Sequence, residues 1–185
     1  MKVLSKDEVV AWIGKRTEVV VAEKGFQFSP PGQNALHFHY PTGEGQLVYF
    51  ARALTTLHHD EATFAGALVW MTEWGVWSEW TEDVGYQAVA MLRGDSEATA
   101  NFMEAPGQLF NETELLQSAI FLLQPILFGW DAYYCPLFKD CPADFILKIS
   151  HDAYVDVIPA DARSRALIEK FFAGTTFREA ECRRS

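Results

Sequence analysis

Basic clusters, long apolar runs, paired-cysteine motifs and glycine-rich phosphate loops are all missing from this chain. Lys and Arg number 15 against 25 Asp and Glu, giving a formal net charge of −10. Phosphate binding needs a concentrated basic footprint, and no Lys/Arg cluster occurs before the C-terminal tail, so no nucleic-acid partner is expected. The longest apolar stretch, residues 118–130, carries Gln124 and Pro125 in its middle and is too short to cross a bilayer. The amino terminus reaches Lys2, Lys6, Asp7 and Glu8 too early to build the apolar segment of a signal peptide. No membrane association or export is therefore expected. Three cysteines cannot all pair within one chain, and Cys135 and Cys141 lack the spacing of a redox motif or zinc knuckle. Reduced thiols in a cytoplasmic protein are the expected state.

The specific enzymatic patterns are missing as well: no Gly-x-Ser-x-Gly elbow, no His-Glu-x-x-His pair and no calcium loop occurs. No catalytic residue and no cofactor is assigned. At 185 residues, nearly half of them apolar, the chain is long enough for a substantial core without disulfides or metal.

What is present is a succession of short-range signals. Ser5 and Glu8 form a capping box before Val9, Val10 and Ile13, and Gly14 stops that helix. Val19-Val20-Val21 and residues 25–29 favour strands, and Pro30-Pro31-Gly32 marks a turn. Leu36, Phe38 and Tyr40 alternate with His37 and His39 in a half-buried strand that Pro41 ends. Leu47, Phe50, Ala51, Leu54 and Leu57 keep helical spacing to about His58. Over residues 64–80 Trp70, Trp74 and Trp77 fit a helical stripe while residues 66–72 also fit a buried strand; the two glycines favour a strand through Met71 and a turn near Trp74-Gly75, and a helix carrying Val84, Ala88, Met91 and Leu92 ends at Gly94. Glu104 to Gln108, with Pro106-Gly107, offers the best internal joint.

Asn111 and Glu114 repeat the capping-box pattern ahead of a helix apolar nearly all round, which belongs at the centre of the fold, and Pro125 should kink or end it near Phe128-Gly129. Residues 130–135, 145–150 and 153–158 read as three strands, the last two joined by a tight turn at His151-Asp152. A final helix follows Pro159 and closes at Gly174. The expected architecture is one α+β domain over residues 1–174 with a loosely ordered tail over 175–185. Its sheet is antiparallel or mixed, its helices lie mainly on one face, and a C-terminal meander precedes the last helix. One continuous interior, made by the sheet and the helices over it, is expected to hold most of the apolar side chains; two separate cores would count against a binding module.

The candidate functional residues fall into two groups. Trp74, Trp77, Glu79, Trp80, Glu82 and Asp83 combine aromatic anchors with carboxylates, and Trp is enriched where binding energy concentrates. With the acidity and the missing catalytic signatures, they point to a protein-binding domain of the immunity type, neutralising a basic protein partner. The alternative is a metal-dependent or small-molecule enzyme using His37 and His39, whose i, i+2 spacing on a strand aims both imidazoles from one face. Two ligands are too few, so His58, His59, Asp60 or His151 would have to supply a third. At a helix end, however, His58-His59-Asp60 reads first as a cap. His151-Asp152 reads as a turn with a structural aspartate, and Cys135 as a packed thiol.

Overall fold

A computed structural model describes residues 1–16, 18–22, 25–31, 33–72, 84–94, 106–139, 141 and 143–177. Its centre is a seven-stranded sheet, antiparallel at every described pairing. The strands are β1 (Lys2–Leu4), β4 (Leu36–His39), β5 (Phe64–Met71), β6 (Gly107–Asn111), β7 (Ala132–Phe138), β8 (Phe145–Ser150) and β9 (Tyr154–Pro159), in the order β1-β6-β5-β7-β8-β9-β4. A separate hairpin pairs β2 (Val19–Ala22) with β3 (Gly25–Phe28). The helices are α1 (Lys6–Ile13), α2 (Glu44–Thr56), α3 (Val84–Arg93), α4 (Leu115–Phe128) and α5 (Ala162–Ala173). This is the expected α+β domain, with the β7–β9 meander running into α5.

Alternation along each strand decides what covers each face. Ala67, Val69, Tyr134, Leu147, Val155 and Val157 point to one side, where Phe50, Leu54, Phe121, Leu122, Ile168 and Phe172 of α2, α4 and α5 close over them. Leu68, Trp70, Cys135 and Ile146 point to the other side and meet Val9 and Ile13 of α1 and Phe26 and Phe28 of the hairpin. The interior is thus two clusters rather than the expected continuous one. One sheet is the common wall of both, so they are the two faces of a single domain and not the two separate cores that would count against a binding module.

Local signals hold where they are strongest. In the α1 box the Glu8 amide donates to Ser5 Oγ at 3.2 Å, and the Ser5 amide donates to Glu8 Oε2 at 2.9 Å. Before α4 the reciprocal box is not formed. The Asn111 amide does donate to Glu114, but Asn111 Oδ1 accepts from Thr113 instead of capping the helix. α4 ends at Phe128-Gly129 as expected, where Gly129, at φ 66°, closes it and the Trp130 amide donates to the Pro125 carbonyl. The joint expected around Pro106-Gly107 is instead the start of β6, an inner strand between β1 and β5. Beyond Gly174, Phe177 packs against Phe50 with ring centres 4.6 Å apart, and residues 178–185 lie outside the described residues.

Candidate functional sites

The helix α4 is only half covered. Ser118, Phe121, Leu122, Pro125 and Ile126 face the core, whereas Leu116, Ile120 and Leu127 are 61%, 41% and 46% exposed. Positions 116, 120 and 127 follow one helical stripe. The neighbouring α3, which packs on α4, presents Val84 and Met91 at 72% and 81% exposure. Exposed apolar side chains on two helices that pack together are the kind of surface an interaction site uses. The sequence placed α4 at the centre because periodicity shows that a helix is apolar all round, not that a second layer covers it.

The anchors expected at Trp74, Trp77, Glu79, Trp80, Glu82 and Asp83 lie outside the described residues. Trp70, the nearest described tryptophan, is core: it is 5% exposed and packs on Phe26 at 5.3 Å.

His37 and His39 do share a face of β4, the face opposite α2, α4 and α5. His37, Asp156 and Lys148 stand in register across β4, β9 and β8, and His37 Nδ1 pairs with the Asp156 carboxylate. Burial raises the Asp156 carboxyl above its ordinary value, against the opposing pull of His37 and Lys148. A carboxyl raised in the folded state binds its proton more tightly there than in the unfolded chain. Its contribution to stability is therefore full below the ordinary value of 3.8 and is lost as pH rises through the raised one. Asp156→Asn should flatten that decline, as read by urea unfolding from acidic to neutral pH. A variant whose profile runs parallel to the parent's would show that Asp156 is not its source.

The three His, Cys, Asp or Glu donors that gather among the described residues belong to other elements. They come from His58, His59 and Asp144, whose donor atoms all lie within 4.8 Å of one another. The chain leaves α2 through Leu57, a buried residue at φ 48°, which swings the next two residues off the helical path. The imidazoles of His58 and His59 then lie 4.2 Å apart at 32°, and His59 stacks on Phe138 at 3.7 Å. Asp60 caps the short turn that follows, accepting from the Ala62 amide. Asp144 is held just before β8, where its carbonyl accepts from the Ala160 amide.

Both Nε2 atoms converge on Asp144 Oδ2, at 3.1 Å from His58 and 2.8 Å from His59. The side chains are 13%, 16% and 10% exposed for His58, His59 and Asp144. Burial pushes the Asp144 carboxyl up, but hydrogen bonding and charge from the two histidines outweigh it and hold the group below its ordinary value. Asp144 Oδ1 is buried without a hydrogen bond, and His58 Nε2 has no well-aligned one, its ion-pair partner being Asp144 Oδ2. Groups left this way cost about 1–3 kcal/mol each unless something else satisfies them. The histidines do not cap α2, as the sequence suggested; a carboxylate from a distant loop draws them in.

His151 and Asp152 form the expected turn between β8 and β9. The structural aspartate there is Asp131, which accepts from the His151 amide at 2.8 Å and pairs with its ring at 3.0 Å. Cys135 is fully buried, and burial pushes its thiol up to about 12, so it serves as a packed apolar group. Among the described residues no helix is long and apolar enough to cross a membrane. No family model, curated protein or solved structure matches this chain.

Proposed function

We propose that this chain is a non-enzymatic cytoplasmic protein-binding domain, docking a basic protein partner through the outer face of α3 and α4 in the manner of an immunity-type protein. The observation that carries the reading is the exposed stripe of Leu116, Ile120 and Leu127 on α4, with Val84 and Met91 also exposed on α3, which packs on α4. Leaving that much apolar surface in water is unfavourable, and covering it with a partner recovers the loss. The net charge of −10 favours a partner of opposite sign and speeds its approach. The segment with the tryptophan anchors leads directly into α3 at Val84 and belongs to the same reading. The free thiols of Cys135 and Cys141 agree with a reducing compartment. An enzyme built on His37 and His39 draws less support, because His37 is engaged by Asp156 across the strand pair.

The test is affinity capture from native lysate with the parent and with a Met91→Glu/Leu116→Glu/Ile120→Glu variant that keeps the parent's circular dichroism and melting behaviour. A basic protein recovered near one-to-one by the parent, and at least about tenfold less by the variant, is the expected result. Equal recovery of that protein by both chains would remove α3 and α4 from the interface.

A further inference from the structure

The cluster at the end of α2 has no part in that docking face, and its chemistry is of another kind. We propose that His58, His59 and Asp144 form a binding site for a divalent first-row transition metal, zinc foremost, through the two imidazole Nε2 atoms and the Asp144 carboxylate. Three observations converge on it. The donor atoms lie within 4.8 Å of one another and come from two separate parts of the chain, the end of α2 and the loop before β8. Their side chains are largely withdrawn from water, so a cation there would displace little bulk solvent. Asp144 Oδ1 is buried with no hydrogen bond and His58 Nε2 has only a poorly aligned contact with Asp144 Oδ2, so a cation at the convergence of the three side chains would engage the nitrogen directly and the carboxylate as a whole.

The donor set selects the metal. Two imidazoles and one carboxylate suit zinc and its first-row neighbours, whereas calcium and magnesium prefer sites built from oxygen alone. Metal–donor bonds of about 2.0–2.2 Å place neighbouring tetrahedral donors roughly 3.3–3.5 Å apart. The present 2.8 and 3.1 Å separations would open by a few tenths of an ångström to admit the ion. Stacking on Phe138 fixes the plane of the His59 ring, which limits the rearrangement to small rotations. Cys141 lies near enough for the Asp144 charge to help burial raise its thiol, but it is not among the converging donors. With three protein ligands the fourth position stays open to water or a small ligand, the pattern of an exchangeable rather than a closed structural site. The competing reading is an ion-pair network in which Asp144 is simply shared by two imidazoles.

The experiment uses the whole chain, stripped with chelator and titrated with zinc alone by calorimetry near neutral pH. Cobalt(II) in a parallel titration reports coordination geometry by its visible absorption. The expected result is one equivalent bound per chain, weakened at least about tenfold in His58→Ala and in Asp144→Asn but unchanged in His37→Ala/His39→Ala. Affinity should also fall as pH drops and the imidazoles protonate. Since Asp144→Asn could disturb folding, nitrogen NMR of the parent gives a second measurement: two imidazole Nε2 signals should shift on adding zinc. Zinc that binds without moving those signals, or equally in all variants, overturns the proposal, as does no binding to the folded parent.

Discussion

Gly66→Ala is expected to cost about 3 kcal/mol or more of folding stability, from backbone strain and overpacking acting together. Gly66 lies in β5, between β6 and β7, at the point where the β5–β7 register shifts between Phe64 and Gly66. Its φ of 151° is a conformation that side-chain-bearing residues rarely adopt, and a Cβ built there would meet the Phe110 carbonyl oxygen at 2.6 Å. That oxygen belongs to the backbone of the paired strand β6 and cannot move without breaking the ladder. Gly25 makes a useful contrast: a Cβ there would meet the Tyr133 ring at 2.3 Å, but a ring can turn, so Gly25→Ala should cost less. Urea unfolding of the two variants checks the ranking. A loss under about 1 kcal/mol for Gly66→Ala would mean that the bulge relaxes, because a typical domain holds only about 5–15 kcal/mol in reserve.

That bulge was not legible in the sequence, and the reason is general to this fold. Features set by contacts within a few residues could be read: the Ser5/Glu8 box, the β8–β9 turn at His151-Asp152, and the stop of α3 at Gly94. Features set by distant partners could not. β1 is three residues long, too short to show a period, and β6 begins just after Pro106, which locally looks like a break; β1 becomes a strand by pairing with β6, and β6 by pairing with β1 and β5. The same holds for the cluster at the end of α2. His58 and His59 were visible as a pair, but the carboxylate that gathers them stands 85 residues beyond His59. Nothing in the spacing of a His-His-Asp run distinguishes a helix cap from two ligands awaiting a third. A buried strained residue at Leu57 is the local sign, and sequence does not show φ.

The second large effect is placed on α4, where adjacent residues should separate stability from binding. Phe121→Ala is expected to cost about 3–5 kcal/mol, because the ring is 1% exposed and packs against Phe110 at 5.8 Å, so its removal leaves a cavity in the helical layer. For a domain of this size that corresponds to a fall in melting temperature of roughly 6–20 °C. Ile120→Glu, one residue and about 100° around the helix, should change stability by no more than about 0.5 kcal/mol while weakening partner capture. The contrast follows from geometry alone: Phe121 points at the sheet, whereas Ile120 lies on the exposed stripe with Leu116 and Leu127. Melting curves of the two single variants decide the matter before any partner is known. If Ile120→Glu melts as low as Phe121→Ala, the stripe is already covered within the folded chain, and α4 has no free face to offer a partner. If only Phe121→Ala melts early, the apolar stripe is exposed in the folded protein at little cost to its stability, as the proposed docking face requires.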